Sequence, residues 1–329
     1  MLIRVLGAGV AGLTAAFEFA RRGITVEVIE QMPGSAQGCS QYAGGMLAPW
    51  CELESAEPLV ATYGVESMKF WQDNFANVPQ NGTLVLAQPR DLPDLKRFSR
   101  RTHHFDWMDG QAIATLEPDL AGRFDSGLFF SSEAHIDPRR LLAELTTRLA
   151  QDYDVRFLYN TDAKSLKSST DWTVDCRGLA ARDELTDLRA VKGEMLLLRT
   201  AELKFSRPIR MLHPRIPVYV VPRADNIFMV GATMVENSDR GRITARGIAE
   251  LLNATYALHP AFGEAEIVEM GADLRPAFHD NLPRLRLRGR TLYINGLYRH
   301  GYLMAPALAA RAVQVVLDGK TFPEIMDEA

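Results

Sequence analysis

Cysteine is scarce in this chain. The 329 residues hold three, Cys39, Cys51 and Cys176. They are odd in number and have no metal-ligand spacing, which argues against a disulfide-stapled scaffold or a zinc site. They read as small packing residues in a reducing cytoplasm, not as nucleophiles. Long apolar runs are also missing. The stretch from Tyr302 to Leu317 is interrupted by Pro306, Arg311 and Gln314, so it is not read as a membrane span. No run of Lys or Arg stands out, and the formal net charge is −4. Nothing therefore points to nucleic acid or to an anionic membrane surface. There is no internal repeat and no low-complexity linker. The balance of 47% hydrophobic and 24% charged residues is ordinary for a globular protein long enough for two domains. Without a linker, two such domains must interleave.

What the chain does have is a strong opening motif. Residues 2–30 give an apolar strand, Gly7-x-Gly9-x-x-Gly12, a helix, and a second strand ending on Glu30. Gly7 permits the tight strand-to-helix turn, Gly9 lets backbone approach a pyrophosphate, and Gly12 lets helix pack on strand. The pyrophosphate then sits on the helix N-terminus, where free N–H groups and the dipole favour negative charge. Glu30 is placed to accept hydrogen bonds from ribose hydroxyls, which favours an adenosine ribose without a 2′-phosphate. The rival reading of Val5 to Phe17 as a secretory signal fails on Glu18, on the three glycines at turn spacing and on the lack of a small-residue cleavage site.

Further along, Glu57–Phe75 has helical apolar spacing, and 82–88 alternates like a strand. Leu116–Ala134 mixes a helix end with strand material. Asp137-Pro138 is a helix start, an acidic cap followed by proline, and that helix runs through Leu149. Strands are expected at Val155–Tyr159, from Thr173 into a turn at Gly178, and at Met195–Arg199, Val218–Val221, Ile227–Thr233, Glu266–Leu274 and Thr291–Asn295. Helices are expected at Thr244–Leu258 and Leu303–Leu317, the second preceded by a turn over Gly296–Gly301. The pattern predicts an α/β fold, a Rossmann-like nucleotide-binding domain broken by a β-rich insertion.

At this point the residues resemble a known family. The segments Gly44-Gly45-Met46-Leu47-Ala48-Pro49, Val191-Lys192-Gly193-Glu194-Met195 and Tyr219-Val220-Val221-Pro222-Arg223 occur in its order. So do Gly231-Ala232-Thr233-Met234, Leu274-Arg275-Pro276 and the closing run from Gly296 to Pro306. Together they resemble the flavin oxidoreductases of the D-amino-acid oxidase type, and most specifically the glycine oxidases of bacterial thiamine biosynthesis. The resemblance implies FAD, a discontinuous FAD-binding domain (1–80, 136–190 and 270–329) and an interleaved α+β substrate domain (81–135 and 191–269). It implies oxidation of a small amine at its α-carbon by hydride transfer to the flavin, giving an imine and, with molecular oxygen, hydrogen peroxide. It places Arg275 at the carboxylate-binding arginine, Tyr219 and Arg299 beside the substrate, and Met234 and Met46 in the pocket. The cofactor would be held by Gly7, Gly9, Val10, Ala11, Gly12, Glu30, Gln31, Gly44, Gly45, Met46, Cys176, Gly178, Arg275, Gly296, Arg299, His300, Gly301, Tyr302 and Leu303. Some relatives tether the flavin through His or Cys. The loop Cys39-Ser40-Gln41-Tyr42 has no His there and Cys39 reads as a free thiol, so FAD is expected to be non-covalent. Relatives often self-associate, which makes a homo-oligomer an open expectation.

Each assigned side chain has an ordinary alternative. Arg275 suits a carboxylate because its guanidinium fork matches both oxygens, but it could form a structural salt bridge. Tyr219 could be a strand aromatic with its hydroxyl at the rim, and Arg299 a solvent arginine at a helix entry. His300 is read as structural, since the amine need only be neutral when the hydride leaves. The helix from Gly301 is expected to aim its N-terminal dipole at the flavin end that gains negative charge. Leu212–Val218 departs from the glycine oxidase pattern, which leaves glycine, sarcosine, a D-amino acid and an N-substituted glycine all open. A dehydrogenase passing electrons to a quinone or protein, and a non-catalytic flavin-binding regulator, remain alternatives. A plain NAD dehydrogenase is disfavoured because it needs no second cofactor-closing motif.

Overall fold

The computed structural model describes residues 1–166, 170–213 and 217–328. Residues 214–216, inside the departing stretch Leu212–Val218, lie outside the described residues. The chain opens with strand Leu2–Leu6, helix Val10–Ala20 and strand Thr25–Ile29. Gly7 has a φ of +93°, a region that side chains resist. A Cβ on Gly12 would overlap the Gly7 carbonyl oxygen. The helix can sit on its strand only because that atom is absent.

Leu2–Leu6 lies inside a six-stranded sheet ordered Arg284–Arg288, Thr291–Asn295, Trp172–Asp175, Leu2–Leu6, Thr25–Ile29, Val155–Leu158. Its neighbours are parallel except for the hairpin of the first two. Ile3, Val5, Val26, Val28 and Val174 are fully buried, as strands with both faces covered require. The helices Val10–Ala20, Pro58–Asn74, Pro138–Asp152 and Gly301–Asp318 share this core. The third of them starts at the expected cap: the Asp137 carboxylate accepts from the backbone N–H groups of Arg139 and Arg140, with Pro138 at the first helical position.

A second, eight-stranded sheet runs Glu266–Ala277, Arg189–Arg199, Ile227–Gly231, Val218–Pro222, Ile209–Leu212, Thr83–Ala87, Ser126–Phe130, Asp106–Asp109. It is antiparallel except between Ile209–Leu212 and Thr83–Ala87. Its longest ladder pairs Arg189–Arg199 with Glu266–Ala277 and crosses both of the expected domain boundaries near 190 and 270. That first strand begins six residues before Met195 because Lys192 and Glu194, polar in sequence, are satisfied internally. Lys192 donates to the Arg242 carbonyl, and Glu194 accepts from Thr244 N–H and from the Thr233 hydroxyl. Helix Leu92–Arg101 and strands Asp106–Asp109, Ile209–Leu212 and Arg284–Arg288 were not anticipated. Among the described residues no helix is long and apolar enough to cross a membrane, and no cluster of His, Cys, Asp or Glu could hold a metal.

Candidate active site

A cavity of about 430 Å³ is lined from both sheets. At one end lie the C-terminal ends of two strands of the six-stranded sheet, Leu6 with Gly7 and Ile29 with Glu30, the usual ligand position in such sheets. The Glu30 carboxylate accepts from Ala8 N–H at 2.7 Å and from Met32 N–H at 2.9 Å. These bonds fix its orientation, and each oxygen retains a lone pair for a ligand hydroxyl. Thr161, whose N–H donates to the Glu30 carbonyl, lines the same end.

Two helix N-termini open on this cavity. Helix Val10–Ala20 starts at Gly9, and helix Gly301–Asp318 starts at His300. Neither helix has a capping side chain or an acidic residue of its own in the first turn; the uncharged Ser40 hydroxyl accepts from Val10 N–H at 3.1 Å, and no charged side chain in the first turn of either helix offsets its dipole. An elongated ligand carrying negative charge at two places fits this arrangement, as FAD does with its pyrophosphate and its reduced ring. Gly44, Gly45, Met46, Cys176 and Gly178 line the space between.

The other end is built on the eight-stranded sheet. The Arg275 guanidinium passes over Gly193, where any Cβ would overlap it. It donates to the Thr233 carbonyl at 3.2 Å. Among the described residues it has no carboxylate partner. Three other cavity arginines do: Arg177 with Asp175 and Asp183, Arg210 with Glu52 and Glu54, and Arg299 with Glu52. Arg240, on an exposed loop, is the remaining cavity arginine without one. The Tyr219 ring lies between two glycines. A Cβ on Gly44 would come within 2.5 Å of its edge, and one on Gly231 within 2.6 Å of its hydroxyl. Burial raises the Tyr219 phenol above its ordinary value, so its O–H remains a donor across the physiological range.

The cavity thus gathers nearly every side chain singled out in the sequence: Arg275, Tyr219, Arg299, Met46, Met234, His300, Tyr302 and Leu303, with Val10, Ala11 and Gln31 at the nucleotide end. Gly12 and Gly296 do not line it. Gly12 sits behind the turn, and Gly296, at φ +77°, leaves room for the Phe278 ring. Met234 is 52% exposed, its sulfur 3.3 Å from the Tyr298 hydroxyl. Arg299 is not a free cation. Its Nη2 is 2.8 Å from Glu52 Oε2, and the Glu52 charge raises the guanidinium pKa further.

Glu52 is the main residue that the sequence reading missed. Burial alone would push its carboxyl up, but Arg299, His300 and Arg210 outweigh burial and hold it at about 2. His300 lies 3.4 Å from the same oxygen, yet burial lowers it to about 4, against the pull of Glu52. It is therefore neutral near pH 7. The available signal was an acid directly after the apolar run Met46–Cys51. The Cys39 thiol, pushed up to about 12 by burial, also stays protonated.

Comparison with known proteins completes the picture. The family model described as FAD-dependent oxidoreductase matches residues 3–315. A Rhizobium etli protein provisionally named thiamine biosynthesis oxidoreductase ThiO is 52% identical over 325 residues, covering 98% of this chain and 99% of that one. A crystal structure of glycine oxidase from Geobacillus kaustophilus shares the fold with a TM-score of 0.80 at 22% identity, over 97% of this chain and 95% of that one. A crystal structure of iminodiacetate oxidase from Chelativorans sp. BNC1 shares it with a TM-score of 0.80 at 24% identity, over 99% of both. This chain belongs to the D-amino-acid oxidase (DAO) family of FAD-dependent oxidoreductases.

Proposed function

We propose that the protein oxidises a small amino acid or amine, such as glycine, sarcosine or a D-amino acid, at its α-carbon. The products are an imine and hydrogen peroxide, and the activity serves synthesis of the thiamine thiazole. The thiamine assignment is supported by the name of the 52% identical R. etli relative. The chemistry rests on one observation above others: Arg275 lines the cavity with no carboxylate partner among the described residues.

A half-buried guanidinium whose hydrogen-bond partner is a backbone carbonyl and not a carboxylate suits a ligand carboxylate, because its fork can hold both oxygens in one plane. Tyr219 is close enough to Arg275 for the guanidinium charge to act on its phenol, and its O–H can donate to the same carboxylate. Two anchors on rigid strands fix where the substrate α-carbon lies. Met46 and Met234 shape the apolar wall around it. Arg299, held by Glu52, supplies a fixed rather than a mobile charge. No base is required of His300, whose imidazole is neutral, when the substrate amine enters neutral. FAD, when bound, supplies the acceptor for the hydride that leaves the α-carbon. Gly7, Gly9, Val10, Ala11, Glu30 and Gln31 would hold its nucleotide half, and Gly44, Gly45 and the Gly301–Leu303 helix start its ring half. On this reading 1–80, 136–190 and 270–329 form the FAD-binding part, and 81–135 and 191–269 the substrate-binding part.

The test is anaerobic mixing of the holoprotein with a panel of small amino acids and amines, followed by oxygen uptake. Bleaching of the flavin by at least one, with peroxide formed in air, is expected. Bleaching by none contradicts the proposal. Bleaching without peroxide selects a dehydrogenase using another acceptor.

A further inference from the structure

Arg275 depends on a single carbonyl. Among the described residues its guanidinium makes one hydrogen bond, from Nη1 to the Thr233 carbonyl oxygen at 3.2 Å, which leaves the rest of the fork for a ligand. Where that carbonyl points sets where the fork lies over Gly193. The carbonyl is free to face Arg275 because of an exception in the sheet. Between the pairs Met195–Gly231 and Lys192–Val235, residues 193–194 of one segment face residues 232–234 of the other, so one residue is extra. Residues paired across an antiparallel ladder ordinarily exchange two bonds, each N–H donating to the other's carbonyl. Thr233 and Glu194 exchange only one in this way: Thr233 N–H donates to the Glu194 carbonyl at 3.2 Å. The Glu194 N–H donates instead to the Thr233 hydroxyl, at 3.1 Å. The hydroxyl stands in for the carbonyl, and the carbonyl turns to the guanidinium. Ordinary exchange resumes at Lys192 and Val235, so the exception is confined to Thr233.

The hydroxyl is itself fixed. It donates to Glu194 Oε2 at 3.0 Å, while Glu194 Oε1 accepts from Thr244 N–H at 2.8 Å. Thr244 caps helix Ala245–Leu258 by accepting from Gly247 N–H, and a Cβ on Gly247 would overlap Glu194 Oε2. The buried Glu194 carboxylate thus sits at the positive end of that helix, with Lys192 Nζ 3.8 Å away. Thr233 is therefore held from a helix that does not itself line the cavity. We infer that Thr233 is a positioning residue for the substrate carboxylate: its hydroxyl takes over the ladder bond of its own carbonyl, and the carbonyl so released aims the Arg275 guanidinium. Glu194 locks the hydroxyl in that role. This rests on the reading of Arg275 as the carboxylate anchor. A side chain of the same shape without the oxygen leaves the Glu194 N–H to reclaim the residue-233 carbonyl, because a buried N–H without an acceptor is costly. Arg275 then loses its partner.

The probe is acetate, a carboxylate with no amine, titrated to saturation into each FAD-loaded variant and followed by the flavin absorbance. Thr233→Val should weaken acetate about fivefold or more, with FAD content unchanged. Thr233→Ser keeps the hydroxyl and should stay within about twofold of wild type. Added to Arg275→Ala, Thr233→Val should change the affinity by less than about twofold, because the guanidinium it aims is gone. A merely structural threonine would weaken both backgrounds alike. Thr233→Val binding like wild type where Arg275→Ala does not, or equal losses in both backgrounds, overturns the inference and leaves the anchor intact. Arg275→Ala binding acetate like wild type overturns the anchor and the inference with it. If Thr233→Val does not fold, Thr233→Ala, which removes the same hydroxyl, decides in its place. Flavin that no amine of the panel reduces, in a protein whose cycle shows the expected coupling, refutes the substrate class and supports the positioning role.

Discussion

Gly193 lies under the Arg275 guanidinium, on the strand paired with the one that carries it; a Cβ at 193 would overlap three of the guanidinium atoms. The path of the arginine is thus set by the absence of a side chain on its neighbour. Gly193→Ala should push the guanidinium aside while leaving FAD bound. Misplacement by about 1 Å can cost on the order of a hundredfold. A loss of that order in kcat/KM, with normal flavin content, is expected on the best substrate. An unchanged kcat/KM would show that the guanidinium does not depend on this seat.

Glu52→Gln leaves Arg299 and Arg210 without their shared carboxylate. The Glu52 carboxyl is lowered to about 2 in the fold, so its stabilisation is fully present above its ordinary value near 4.5 and is lost as pH falls toward 2. A shift of that size corresponds to about 3 kcal/mol. The melting temperature of the variant should fall well below wild type at pH 7, and the gap should narrow below pH 4.5. A gap that is constant with pH, or absent at pH 7, would count against the pair.

Glu30→Ala removes the acceptor of two backbone N–H groups, Ala8 and Met32, and with it the proposed ribose partner. Loss of one charge-assisted hydrogen bond costs about 1.5–3 kcal/mol. FAD should dissociate roughly ten- to a hundredfold more readily, as read by flavin fluorescence after dilution. Retention equal to wild type would dismiss the ribose role.

Acid or heat precipitation should leave the yellow colour in the supernatant. Cys39 lines the cavity as a half-buried, protonated thiol and is a poor nucleophile in that state. A yellow pellet would establish a covalent link.

The features legible in the sequence are those whose signal is local. Gly7 and Gly12 mark a turn that needs those positions empty, and Asp137-Pro138 caps its own helix. Arg275 and Tyr219 were found by resemblance, and their seats explain why the surrounding glycines accompany them. The features that stayed hidden depend on distant partners. Lys192 and Glu194, polar and left outside the expected strand Met195–Arg199, are satisfied inside a sheet only by Arg242, Thr233 and Thr244. Strand Asp106–Asp109 is a short sheet edge with Trp107 exposed, so it lacks alternation. Glu52 gains its role only from Arg299 and His300, contacts that no spacing in the sequence announces.

The most direct measurement is the rate of anaerobic flavin reduction in wild type, Arg275→Lys and Arg275→Ala with the best amino acid from the panel. Removing the partner of a buried carboxylate typically costs about 2–5 kcal/mol. Arg275→Ala should therefore lose roughly thirty- to several-thousandfold in reduction rate over substrate affinity. Arg275→Lys should recover part of it, since an ammonium cannot hold both oxygens in a plane. FAD content and melting temperature should stay near wild type. Full-rate reduction by Arg275→Ala would contradict the carboxylate anchor, and with it the assignment of an amino-acid substrate to this cavity.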